Sequence, residues 1–441
     1  MVLLLTLLLA STATALAGGP GAEERARLQT SHTPNVPASW DGSCAAAIQI
    51  GLASSPQIRV LRARWERAVH EIQTAGVPPE PRVAVSAFPA PIETRVGPQQ
   101  ARVSLQQAIP WPTELLGARG AAAARAKAAW ARHEDGALAL SEAIAHHYWA
   151  LWKHRAEQTS HALHRQLMDN LAETLRARVE IGAAALSDLQ QVELMRARVQ
   201  DTVARHHANT QVHEASLKQV MGGFDAPITL AVPVFQPLPS DLTLDDLLGT
   251  LTSHPTIQAI DAALEASDQD LRATRGQRGP GLELGADWTM IGPSATPDDL
   301  GSGRDALGVT VGVRVPLWHG ATTGAVNAAL AERSALEFER EQQLLLLRSR
   351  IESAWVQAAD QHRRLTLLQD TLQPQAASTY TSLLGAYTAG EATVSEVLAA
   401  QQVLHDLRLE VDAERAAAEQ TAATLTRWSG LQFTTSSESS P

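Results

Sequence analysis

Histidine is the residue type whose placement in this sequence most invites chemistry. There are 15, and His147, His154 and His161 recur every seven residues. Neutral imidazole is a common ligand for zinc and its neighbours in the first transition row. On a helix, however, successive members of that row stand about 10.8 Å apart, too far to share one ion. A tighter set, Glu157, His161 and His164 at i, i+4 and i+7, is the one group able to bind alone. Polar residues at that spacing ordinarily mark a solvated helix face, so the expectation is no metal site and no cofactor. The single cysteine, Cys44, excludes an intramolecular disulfide and a cysteine-based zinc site. Following Asp41-Gly42-Ser43, it reads as an ordinary helix-start residue.

Other chemistries find no support. The chain has no His-Glu-x-x-His, Gly-x-x-x-x-Gly-Lys, Gly-x-Ser-x-Gly or Ser-x-x-Lys. Its carboxylates sit among arginine and glutamine at helical spacing, as they do on solvated helices. An enzyme is therefore not expected. A net charge of −11 without any Lys/Arg-rich run argues against nucleic acid.

The elements that carry these residues are mostly long helices. Hydrophobic residues make up 44% of the 441, charged residues 19% and aromatics 4%, which favours helix packing through small and aliphatic side chains. Residues 1–17, MVLLLTLLLASTATALA, read as a signal peptide ending in Ala15-Leu16-Ala17, although the usual positive n-region is missing. No other run of 18 apolar residues occurs, so no transmembrane helix is expected in the mature chain.

Three landmarks then repeat in order. Pro56 in ASSPQIRVLRARWERA corresponds to Pro255 in LTSHPTIQAIDAALEA, IPWP at 109–112 to VPLW at 315–318, and Gly182 to Gly390, at spacings of 199, 206 and 208 residues. The expected organisation is an extension over 18–43, a first repeat over 44–222, a proline-rich linker over 223–242, a second repeat over 243–430 and a polar tail over 431–441. Each repeat reads helix, two strands, very long helix, tight turn, helix. In the first, a helix is expected over Cys44–Thr74, strands over Arg82–Phe88 and Arg102–Ile109, and a proline-free helix from Thr113 to about Ile181. In the second, strands are expected over Leu282–Ile291 and 307–315, then a helix from about Ala321 to Ala389 interrupted only by Pro374. Helices this long, roughly 100 Å at the α-helical rise, suit a coiled-coil stalk or an α-helical tube.

The strands alternate. Leu307, Val309, Val311, Val313 and Val315 share one face, while Gly308, Thr310, Gly312 and Arg314 share the other. Leu282, Leu284, Ala286, Trp288 and Met290 likewise oppose Glu283, Gly285, Asp287 and Thr289. Apolar-out, polar-in alternation is the pattern of a transmembrane β-barrel, and Trp111, Trp288 and Trp318 stand where interfacial aromatics would. An antiparallel sheet with one face on a soluble core shows the same alternation. Four strands cannot close a barrel and open edges cannot sit in lipid, so a membrane sheet requires several chains. Two chains would supply eight strands and three would supply twelve.

Taken together, the two-copy order, the paired strands and the turn sequences resemble the TolC family of outer-membrane efflux proteins over roughly Ala45–Gly430. The most specific part is the second turn, with Tyr387, Gly390, Thr393, Glu396, Val397, Leu398 and Ala400; the first turn offers Val179, Gly182, Ser187, Asp188 and Leu189. The resemblance implies a mainly α fold with a small membrane β-barrel portion. It implies a homotrimer whose twelve-stranded barrel lies in outer-membrane lipid and continues as an α-helical tunnel in the periplasm. It also implies partnership with a periplasmic adaptor protein and an inner-membrane pump. The expected function is a passive efflux duct, with a type I protein-secretion exit, or a periplasmic coiled-coil scaffold without a pore, as alternatives. Val309, Val311 and Val313 become lipid-facing. Gly182, Ser187, Gly390 and Ser395 belong to the tip turns where the adaptor docks, the glycines ending helices at positive φ. Ser187/Asp188 and Ser395/Glu396 are expected to cap the helices that follow. By resemblance, Asp188, Tyr387 and Glu396 form a periplasmic gate, the tyrosine bonding the carboxylate at 188. Ala392 and Ala399 stand where relatives place a gate arginine and a further aspartate, which predicts a weaker lock.

Overall fold

The computed structural model describes residues 20–30, 40–232, 235, 238–239, 241–295 and 301–431; the signal peptide expected over 1–17 lies outside them. The helices are α1 (Ala22–Thr30), α2 (Cys44–Ser54), α3 (Pro56–Thr74), α4 (Pro112–Glu180), α5 (Leu186–Val220), α6 (Leu244–Gly249), α7 (Pro255–Gly276), α8 (His319–Leu367), α9 (Gln373–Ala389) and α10 (Val394–Ser429). The strands are β1 (Arg82–Ala87), β2 (Glu93–Thr94), β3 (Gly97–Ile109), β4 (Gly281–Ile291) and β5 (Ala306–Arg314). Two compact units result: Met1–Ser31, Arg62–Ala131 and Gln258–Gln342 form the first, and His32–Leu61, Arg132–Ile257 and Gln343–Pro441 the second.

In the first unit the sheet runs β1-β3-β4-β5, all antiparallel, with β2 pairing on β3. Its helical core places Trp65, Val69 and Ile72 of α3 against Ala122 and Ala126 of α4, whose missing side-chain bulk lets the helices approach. Helix α1 lies in the stretch read from sequence as a plain extension. It docks because the buried Glu24 carboxylate accepts from Trp65 Nε1 at 3.0 Å and pairs with Arg27 at 3.1 Å. Gly21, at φ 78°, sits so close to Ile72 that a Cβ would fall 2.7 Å from its Cδ1.

Among its described residues the second unit holds three clusters. One centres on Tyr148, Leu151 and Leu217, and its rim includes Leu230 and Phe235, two residues of the expected linker that are packed rather than free. Another joins Leu247, Ile351, Ala354 and Leu425. The third joins Met168, Leu175, Val192, Val394 and Leu398 beside the two turns.

Two helix boundaries differ from expectation, and β3 begins at Gly97, five residues before the strand expected from Arg102. The helix expected over Cys44–Thr74 breaks at Ser55, whose ψ of 128° is extended as the residue before a proline prefers. Pro56 then opens α3, where its missing N–H costs nothing. Pro255 opens α7 in the same way after His254, at ψ 137°. In both repeats the residue before proline accepts the second helical N–H: Ser55 Oγ from Gln57 at 3.3 Å, His254 Nδ1 from Thr256 at 3.2 Å. The second difference is a π turn, Leu368–Leu372, just ahead of Pro374. It lets the backbone continue into α9 although proline offers no N–H and crowds the carbonyl four residues back. Cys44 meets its expectation as the first residue of α2, with Ser43 Oγ accepting from Ala46 N–H. Burial, and then the nearby Glu419 charge, push its thiol up to about 12, so it carries no thiolate chemistry.

Candidate functional site: a two-faced sheet, two tip turns and a histidine column

Strand register sorts the sheet into two chemically distinct faces. Val83 and Val85 of β1 oppose Leu105 and Val103 of β3; these oppose Ala286 and Trp288 of β4, which oppose Val309 and Leu307 of β5. Leu284 with Val311 and Leu282 with Val313 complete this apolar face. Val309, Val311 and Val313 are 78%, 68% and 58% exposed, so no described residue of the chain covers them. One polar residue, Gln107, shares the face opposite Leu284, and its amide is satisfied by the carbonyls of Pro79 at 2.7 Å and Ala108 at 2.8 Å. The other face carries Arg102, Ser104, Gln106, Glu283, Asp287, Thr289 and Thr310, with Arg102 Nε donating to Thr289 Oγ1 at 3.1 Å. Gly308 stands opposite Asp287 because a Cβ there would lie 2.5 Å from the carboxylate. β1 and β5 end the sheet without pairing to each other.

Tryptophans mark both ends of the apolar face. Trp111 and Trp318 follow β3 and β5, and Trp318 is 81% exposed. Trp288 stands near the far end of β4, its indole N–H donating to Asp305 at 3.0 Å. From Gly281 to Trp288, seven steps of about 3.3 Å give roughly 23 Å of strand.

In the second unit, α4 and α9 end identically. Gly182 and Gly390 adopt φ 72° and 80°. Gly182 N–H donates to Val179 O and Ala183 N–H to Arg178 O; Gly390 donates to Tyr387 O and Glu391 to Ala386 O. Both are Schellman closures of the free carbonyls, as the glycines predicted.

The following helices begin unequally, and the serines do not cap either one. The backbone leaves the extended region at Ala185 and Thr393, two residues before Ser187 and Ser395, so those positions are the caps. Thr393 Oγ1 accepts from Glu396 N–H while the Glu396 carboxylate accepts from Thr393 N–H at 2.7 Å, a reciprocal capping box. These bonds, the backbone one first, hold the Glu396 carboxyl below its usual range. Asp188 occupies the matching third position of α5, but Ala185 has no hydroxyl to offer it. Ser395 instead donates to Gln191 Oε1 at 3.0 Å, linking α10 to α5. Within the chain Tyr387 does not bond Asp188; its ring packs beside Val394 and Leu398, with the Arg178 guanidinium 5.1 Å from its centroid.

The histidines are not on a solvated face, contrary to the expectation from spacing. Glu157, His161 and His164 of α4 are buried, because α5 and α10 bring further imidazoles against them. Ring centroids run His213–His154 at 4.6 Å, His154–His206 at 6.0 Å, His206–His161 at 4.7 Å, His161–His405 at 4.8 Å and His405–His164 at 4.4 Å. The signal was present in the sequence: His161 and His206, like His154 and His213, are equidistant from the turn at Gly182–Ala185. His405 Nε2 lies 3.0 Å from His161 Nδ1, and Gln401 Nε2 donates to His164 Nδ1 at 3.4 Å.

Burial, followed by the fields of His164, His161 and Arg408, lowers His405 to about 3. The unfolded chain therefore binds a proton below its ordinary pKa of 6.5 that the folded chain refuses. Stability falls as pH drops from 6.5 toward 3, and the loss is complete below the folded pKa. We expect a loss on the order of 2 kcal/mol between pH 7 and 5 from this group. His405→Gln should flatten the melting temperature profile in that window, and an unchanged profile would refute the assignment.

With this geometry in view, residues 249–431 match the sequence profile of the family described as Outer membrane efflux protein. Over that stretch, the chain is similar to outer membrane efflux proteins. The outer membrane efflux protein BepC of Brucella suis is 27% identical over 191 residues, 43% of this chain and 41% of the relative, so the alignment spans about two fifths of that protein. Among solved structures, the outer membrane protein VceC of Vibrio cholerae superposes with TM-score 0.72 at 19% identity, covering 89% of this chain and 97% of that one. The CmeC outer membrane channel of Campylobacter jejuni gives 0.73 at 14% identity, covering 88% and 85%. The fold is thus TolC-like across both repeats, beyond the efflux protein domain that the profile matches. These relatives are described as outer-membrane proteins and channels.

Proposed function

We propose that three copies of this chain close one twelve-stranded barrel in the outer membrane and serve as the passive exit duct of an efflux assembly. The observation that carries this reading is the four-strand sheet with two unpaired edges, one uncovered apolar face and one polar face. Lipid offers no partner for free backbone N–H and C=O groups, so the edges must pair with those of other copies. At about 3.3 Å per residue and a tilt of about 40°, the 11 residues of β4 climb roughly 28 Å, enough for the apolar band of an outer-membrane barrel. The tryptophans at the two ends then lie at the headgroup levels. Solute delivered by an inner-membrane pump and a periplasmic adaptor passes between helices and leaves past the polar face. The turns at Gly182 and Gly390, with Ser187 and Ser395, are the docking tip. Asp188, Tyr387 and Glu396 stand at its gate, with Glu396 held in place by its capping box.

Mild detergent extraction of an outer-membrane fraction, followed by mass measurement and single-channel recording, tests both levels. A trimer that conducts, and conducts more when Asp188→Ala and Glu396→Ala are combined, is the expected result. A monomer recovered from the soluble periplasm overturns the duct. A conducting trimer indifferent to the double substitution overturns only the gate.

A further inference from the structure

Three side chains of the histidine column converge on one point. Glu157 Oε2 lies 3.0 Å from His154 Nδ1, one turn earlier on α4, and 3.2 Å from His206 Nδ1 on α5. The ligand atoms of all three lie within 4.8 Å of one another. Two nitrogens and an oxygen bound tetrahedrally at about 2.0–2.1 Å would stand about 3.3 Å apart, close to the two nitrogen–oxygen spacings of 3.0 and 3.2 Å already present. The side chains are 17%, 11% and 17% exposed, so water competes little.

Hydrogen bonding accounts for the His154 contact, Nδ1 with Glu157 Oε2, but not for the His206 one. His206 Nδ1 is buried and makes no hydrogen bond, although the Glu157 oxygen is within reach. The approach is off the line an N–H would need, but a third atom between them would satisfy both. Around the three, His213 stacks on the His154 ring, and the His161 ring lies tilted against that of His206, 4.7 Å between centroids. Lys153 Nζ lies 3.7 Å from the other Glu157 oxygen and helps to orient the carboxylate.

We propose that His154, Glu157 and His206 bind one divalent ion of the late first transition row, with zinc the representative, and so pin α4 to α5. The two-imidazole, one-carboxylate set suits borderline ions rather than calcium or magnesium, which take oxygen ligands. Three protein ligands leave a fourth position for water or a small anion. The site is independent of the duct reading, since it uses one chain and no membrane.

The test is calorimetric titration of zinc sulfate into the full-length protein, carrying no polyhistidine tag, in detergent at neutral pH. One zinc per chain is expected, with an X-ray absorption spectrum of two imidazoles plus oxygen ligands. His206→Asn should weaken binding by at least about tenfold, given that even outer partners of metal ligands are worth 10–100-fold. His207→Asn, at the exposed neighbour, should leave it unchanged. Absence of saturable binding, equal binding by the His206 variant, or a wild-type spectrum without imidazole would each overturn the site.

Discussion

Val311→Arg is expected to abolish recovery of the protein as an outer-membrane trimer, whereas Thr310→Arg, one residue away, is expected to assemble. Val311 is 68% exposed on the apolar face, paired with Leu284 and midway between the levels of Trp288 and Trp318. An arginine on a lipid-facing barrel position near the midplane costs roughly 2–4 kcal/mol. A shared barrel carries the substitution three times, so the penalty approaches the whole stability of an ordinary fold. Thr310 points to the opposite face, beside Gly285 and Gln106, where water solvates a charge. The measurement is the amount of trimer extracted from membranes for each variant. Equal assembly of the two would place the valine face in water and remove the barrel.

The second large effect concerns stability. Arg427, near the end of α10, is only 7% exposed at its side chain and pairs with Asp135 of α4 at 2.7 Å. Asp135 also accepts from Thr256 Oγ1 at 2.7 Å, and the Arg427 carbonyl lies 3.0 Å from His254 Nε2, so one network fixes the start of α7. The two partners are unequal, since Asp135 keeps 29% exposure. Asp135→Ala leaves a buried guanidinium without its counter-charge and is expected to cost about 3 kcal/mol or more. Arg427→Leu leaves a carboxylate that water and Thr256 still solvate, and is expected to cost about 1 kcal/mol. Denaturant unfolding of both variants decides the point. A larger loss for the arginine variant would mean that its contact with the Trp428 ring, 4.5 Å away, outweighs the ion pair.

Periodicity made the architecture legible. Alternation placed β4 and β5 within one or two residues, and Gly182 and Gly390 gave both helix ends, because these signals are local. What depended on tertiary context was lost. The capping residue is chosen by where the backbone turns, so Thr393 and Ala185 took the place expected of the serines. Helix α1 docks through a buried Glu24–Trp65 bond across 41 residues, which no window over 22–30 reveals. The histidines were misjudged because their spacing was read along α4 alone. Their neighbours come from α5, paired with α4 across the turn, and from α10, which lies far away in sequence. No metal was expected from the i, i+4, i+7 set, and the three atoms that do converge include just one of its members, Glu157.

The π turn at Leu368–Leu372 has an arithmetic consequence for everything after it. A wide turn adds one residue to a helix, and one residue is about 100° of rotation about the axis. The stripe that α8 buries, Leu347, Ile351 and Ala354, therefore cannot continue in phase into α9, which has no fully buried residue of its own. Tyr387 reaches its place beside Val394 and Leu398 only because the helix has been re-indexed ahead of it. A sequence one residue shorter between 368 and 372 would restore an even winding and aim that ring about a quarter turn away, so the spacing of the tip is written some fifteen residues before the tip itself.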